Sequence, residues 1–164
     1  MRALQAIIAF LGRACISIIF ISSAFHKIID WQATQRGLVG LLCDWQGYVS
    51  YSIELQRFFG ALLSWVPTIL GVVTAIELIG GFMVLLGLKP RLGAFLLLIF
   101  FIPTTILFHQ FWFLEGIRRE MQITIFLKNI AIMGALFLIV AFKGKVEKKR
   151  SMPSIPLESP NLDE

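Results

Sequence analysis

The chain has 164 residues, of which 57% are hydrophobic and only 15% charged. Soluble domains run near 45–50% apolar and about 25% charged, and the mean hydropathy here is +0.81. That excludes an ordinary cytosolic enzyme and intrinsic disorder. It also argues against a nucleic-acid partner, despite a net charge of +5, because the basic residues must first be placed relative to a membrane.

A bilayer core about 30 Å thick needs roughly 20 mostly apolar helical residues. Four stretches qualify, at about 7–29, 67–88, 92–113 and 121–142. Their long unalternating apolar runs exclude strands. The expected fold is therefore all-α, a polytopic membrane four-helix bundle occupying residues 1–142. The first stretch reads as an uncleaved span: Arg13 interrupts it, and His26-Lys27 stands where a signal peptide would show small residues.

Arg2, Lys89, Arg91 and the cluster Lys143, Lys145, Lys148, Lys149 and Arg150 fall on one side of these spans. Lys27, Arg36, Arg57, Arg118 and Arg119 fall on the other, diluted by a long connection. The positive-inside rule then places both termini and the Leu88–Arg91 turn in the cytoplasm of a multi-pass protein of the bacterial inner membrane.

The connection 30–66 is exoplasmic on this reading. It carries Trp31, Trp45, Trp65, Tyr48 and Tyr51, rings that favour the headgroup region. Within it Ser52 to Trp65 reads as an interfacial amphipathic helix, with Glu54, Gln56 and Arg57 set against Ile53, Phe58, Phe59, Leu62 and Leu63. The tail 143–164 begins with a basic cluster suited to anionic lipid headgroups. It continues with Pro153, Pro156 and Pro160 among polar residues, a composition expected to be disordered. Cys15 and Cys43 read as small hydrophobes, too far apart in depth to pair. No CxxC or Cys/His cluster exists, so no metal site is expected.

Charge inside hydrocarbon is costly, about 2.5–3.5 kcal/mol per group near the centre on insertion scales. Arg13, Glu77 and Lys128 nevertheless lie within spans, with His109 and Asn129 beside them. At 1.5 Å of rise per residue, Arg13 lies about 10 Å from the cytoplasmic end and Glu77 about 15 Å. Lys128 lies about 10 Å from the outer end and His109 about 6 Å, with Lys27 at the outer rim. This order makes a plus–minus–plus ladder in which Glu77 reaches Arg13 or Lys128. Thr74, Glu77 and Gly81 share a face with Gly80 beside it, where small residues admit a neighbouring helix. Thr124, Lys128, Ala131 and Ala135 share a face of the fourth span, expected to point inward. Thr105 and His109 are four apart on the third, and Pro103 frees the carbonyl of Ile99.

Three readings of these groups remain open. They are interhelical polar contacts that fix packing, a site for protons, a quinone or another substrate, or a docking surface for a partner subunit. Glu77 is the strongest candidate, because a mid-membrane carboxylate is the usual proton carrier. No catalytic residue is assigned.

These pieces in order resemble the DoxX/DoxD-like family of small four-span membrane proteins. The matching segments are Gly12-Arg13, Ala24-Phe25-His26-Lys27-Ile28, Glu77-Leu78-Ile79-Gly80-Gly81 running on to Gly87, Arg91, Phe108-His109-Gln110-Phe111-Trp112 and Phe126-Leu127-Lys128-Asn129 running on to Gly134. The Ser-Gly often found near the end of the first span is Ser23-Ala24 here, and the first loop is longer and more aromatic than is typical. Some relatives are the membrane subunit of a thiosulfate:quinone oxidoreductase, and others are linked to oxidative-stress complexes. The resemblance implies a non-catalytic or quinone-facing subunit beside a redox partner, or a homo-oligomer, in the lipid bilayer. A small transporter and a scaffold are the alternatives. No flavin, haem or iron–sulfur motif accompanies the pattern.

Overall fold

The computed structural model describes residues 2–141. It contains six α-helices: α1 (Arg2–Ile29), α2 (Trp31–Tyr48), α3 (Ile53–Ser64), α4 (Val66–Leu86), α5 (Pro90–Phe108) and α6 (Gly116–Ala141), with a short 3₁₀ turn at Phe111–Phe113. The described residues contain no strand. The basic and proline-rich tail inferred for 143–164 lies outside them. α1, α4, the α5 segment and α6 are long and apolar enough to cross a membrane, so the chain is a multi-pass membrane protein.

The four long helices run in alternating directions, and each packs mainly on its neighbour in the order α1, α4, α5, α6. α1 and α6 touch only sparsely, which leaves a cleft between them in front of α5. α4 and α5 form the centre, and α1 and α6 turn most of their surface outward. Such exposure would be ruinous in water but is ordinary against lipid.

Small residues set the spacing at the centre. A Cβ on Gly93 would stand 2.7 Å from Met83 Cβ and 2.9 Å from the Gly80 carbonyl oxygen. One on Gly80 would meet Leu97 at 2.8 Å. α4 and α5 therefore approach backbone to backbone, where dispersion and weak polar contacts supply the adhesion that water would supply elsewhere. On the next face of α4, Gly81 abuts Ile21 of α1. Phe20, Val84, Ala94, Leu97, Leu98 and Leu136 fill the core between these contacts.

α4 ends at Gly87, whose φ of 71° is left-handed, and Pro90 opens α5. The Arg13 guanidinium occupies the space a Gly87 side chain would need, with Nη1 2.6 Å from that Cβ position. A cation there also complements the negative end of the α4 dipole.

At the other end, α2 and α3 pack on one another and on α4. The sequence reading treats residues 30–51 as plain connection. The structure makes most of that stretch a helix, with Leu42 buried. Trp45 stacks on Phe59 at 5.8 Å, and Tyr48 stacks on Phe113 at 4.1 Å. Trp45 Nε1 also donates to the Leu107 carbonyl at 2.9 Å, one of the carbonyls left free where α5 ends. The aromatic residues thus cap the bundle as well as suiting an interface.

The glycine contacts give a direct test. Gly93→Ala forces backbone apart and should cost about 1–3 kcal/mol. Gly12 has open space around it, so Gly12→Ala should stay within about 0.5 kcal/mol. Thermal melts of both variants in mild detergent measure the difference, and equal melts would contradict the close α4–α5 packing.

Candidate functional site

Glu77 is buried at the α1–α4 interface, with 2% of its surface exposed. Its partner is Lys27, whose Nζ donates to Oε2 at 2.8 Å and Oε1 at 2.9 Å. The same ammonium donates to Ser23 Oγ at 2.6 Å, and the Ser23 hydroxyl reaches Glu77 Oε1 at 3.4 Å. Ser23 and Lys27 are four residues apart on α1, so they share one face. All three ammonium protons are thereby used, and the desolvated carboxylate is compensated on both oxygens.

This corrects the ladder expected from the sequence. Neither Arg13 nor Lys128 meets Glu77; Lys27, two residues from the end of α1, does. The cause is helix register. Arg13 lies against Gly87 and Ile21 against Gly81. Along α4 that leaves Arg13 about ten residues, roughly 15 Å, from the level of Glu77. Lys27 falls at that level, and its four-carbon stem carries the charge inward. The Arg13 Nε instead donates to the Ala9 carbonyl at 3.3 Å within its own helix.

A second polar group faces the pair. Asn129 Nδ2 lies 3.0 Å from His109 Nε2 and 3.3 Å from Thr105 Oγ1. His109 Nδ1 lies 2.7 Å from Gln122 Oε1. One proton pattern satisfies the set: His109 carries its proton on Nδ1, donates to Gln122 and accepts from Asn129. His109 caps the end of α5, so its ring reaches across to α6. Lys128 lies outside this group. It is adjacent to Asn129 and so points about 100° away around the helix. Of the expected inward face, Thr124, Lys128 and Ala131 are exposed and Ala135 is half-buried, while Asn129 and Leu136 turn to the bundle.

Both polar groups open onto one cavity of about 260 Å³. Lys27, Ser23 and Glu77 line one side, and Asn129, His109 and Thr105 the other. Phe20, Phe100, Phe101 and Phe108 supply apolar walls. The cavity is lined by residues of α1, α4, α5 and α6, where α1 and α6 touch only sparsely. Sequence reasoning did not single out Ser23, Gln122 or these four phenyl rings as site residues. The Ser23–Lys27 spacing of one helical turn was the available signal. Among the described residues no cluster of His, Cys, Asp or Glu could hold a metal ion. Cys15 and Cys43 are both free and exposed.

Removing one partner of a buried pair costs more than removing both, about 3–5 kcal/mol where one charge is stranded. Lys27→Met should destabilise the bundle on that scale, and adding Glu77→Leu should recover most of the loss. Melting the two single variants and the double variant checks this, and strictly additive losses would show that the pair is not coupled.

No curated protein and no solved structure matches the chain. The DoxX family model matches residues 8–110. That span runs from early α1 to the end of α5 and includes Ser23, Lys27, Glu77, Thr105 and His109. The chain belongs to the DoxX family.

Proposed function

We propose that the bundle binds the ring of a lipid-soluble quinone in the cavity between α1, α5 and α6, as the membrane subunit of a redox assembly in the bacterial cytoplasmic membrane. The observation that carries this reading is the convergence of an ion pair and an imidazole network on one phenyl-walled cavity. Ligand sites are mostly apolar with a few placed polar groups, and this volume suits a ring headgroup whose chain stays in lipid.

The residues present fit such a ring. Its faces would lie against Phe20, Phe100, Phe101 and Phe108. The Ser23 hydroxyl, held by Glu77 only at 3.4 Å, is a donor available to a carbonyl oxygen on one side. On the other side, the Thr105 hydroxyl accepts from Asn129 and keeps its own proton for a ligand. A bound quinone supplies carbonyl oxygens that take up protons when the ring is reduced. Lys27 Nζ and His109 Nδ1 hold exchangeable protons behind those two donors. Electrons would come from a partner protein, because the site residues include no redox group.

Lys89 and Arg91 flank the short α4–α5 turn, which supports an orientation with that turn and both termini in the cytoplasm. A reporter fused to the C-terminus that is active only outside the cytoplasm should stay dark in cells. A bright signal would reverse the orientation.

The binding reading is tested with purified protein in lipid nanodiscs titrated with a short-chain ubiquinone or menaquinone. Saturable binding is expected, at least tenfold weaker in Glu77→Gln and in Asn129→Leu, both checked by melting to be folded. Absence of saturable binding to the wild-type protein would refute it.

A further inference from the structure

Lys128 stands at the middle of α6, twelve residues from Gly116 and thirteen from Ala141. Its side chain is exposed on the outer surface of the bundle and has no ion-pair partner among the described residues. Exposed Arg118, Arg119 and Glu120 mark the outer polar edge of this span, so at 1.5 Å per residue Lys128 lies about 12 Å inside it. The side chain is several ångströms too short to bring its ammonium to a headgroup. An unpaired charge at that depth is expensive and marks a contact.

The surface around it is shaped for a helix. Thr124, Ala131 and Gly134 are exposed on the same side, and nothing lies within 4 Å of a Cβ added to Gly134. The Thr124 hydroxyl is satisfied within α6 by the Glu120 carbonyl at 3.0 Å, and these small exposed residues would let another helix approach closely around the ammonium. Charge decides what that helix carries. A second copy in the same membrane orientation would present its own Lys128 at the same depth. Its Glu77 is buried and committed to Lys27, and its Glu120 lies eight residues, about 12 Å, nearer the outer end than Lys128.

We propose that the Lys128 face of α6 docks a spanning helix of a different protein that carries an Asp or Glu near its midpoint. Lys128 and the partner carboxylate form the intramembrane ion pair, and Thr124, Ala131 and Gly134 set the helix spacing. The face lies on the side of α6 away from Asn129, so docking leaves the cavity free. The claim stands whether or not the cavity holds a quinone.

The test uses the full-length protein, donor-labelled, in liposomes with an acceptor-labelled synthetic helix. The probe helix is about 20 residues of Leu and Ala with one central Glu, compared with the same helix bearing Gln. Energy transfer should show the Glu helix binding at least tenfold more tightly than the Gln helix. Lys128→Leu should erase that preference, and Lys128→Arg should keep it. Melting of Lys128→Leu should match the wild type, because the exposed side chain makes no hydrogen bond or ion pair among the described residues. Equal binding of the two helices, or a preference that survives Lys128→Leu, would overturn the proposal. So would transfer between differently labelled copies of the protein that blocks the Glu helix, because the face would then belong to a second copy.

Discussion

A carboxylate in the middle of an apolar span survives only where something replaces its water. In this protein that something is the Lys27 ammonium, seated on both Glu77 oxygens and braced by Ser23. Taking two ions from water is costly, and the attraction between them repays the cost only with good geometry and few loose hydrogen-bonding groups. The pair therefore constrains its surroundings. It requires the end of α1 beside the middle of α4, and it tolerates little slip between them, because one residue of slip turns either side chain away from the interface.

The glycines make that register possible. Gly80 and Gly81 sit one turn beyond Glu77 on α4, and Gly81 draws in α1 while Gly80 and Gly93 draw in α5. With α4 held closely on both sides, α6 reaches the bundle mainly through α5. The cleft between α1 and α6 follows from that arrangement, and the cavity lies where the cleft meets the ion pair. The short Glu-x-x-Gly-Gly segment thus couples a charge, two helix contacts and one wall of the cavity. The proposed ring-bearing lipid-soluble ligand would use this shape together with the donors Ser23 and Thr105.

The spans were legible in the sequence because a bilayer imposes a length and an apolarity that few other environments demand. Glu77 and His109 stood out for the same reason, as polar residues in costly places. Their partners were less legible. Depth counted along a span from its apparent edge placed Lys27 at the rim, but the true level depends on which residues of α1 and α4 touch, which Ile21 and Gly81 decide. Lys128 and Asn129 are neighbours in sequence and cannot both face inward, and charge alone gave no reason to choose the uncharged one. Helix α2 was hidden by Gly37, Gly40 and Gly47, which weaken a helix in isolation. Its Leu38, Leu42 and Trp45 do recur at helical spacing, a sign that packing against α3 and α4 could override propensity.

The register of α1 on α4 requires that Lys27 and Glu77 touch. Solid-state NMR of the full-length protein in lipid bilayers can measure this by dipolar recoupling between 15Nζ-labelled lysine and 13Cδ-labelled glutamate. With Nζ and the carboxylate oxygens 2.8 and 2.9 Å apart, strong dephasing is predicted, and it should vanish in Lys27→Arg. Weak dephasing in the wild type, or strong dephasing that persists in Lys27→Arg, would show that the carboxylate is held by another group and would contradict the register of α1 on α4.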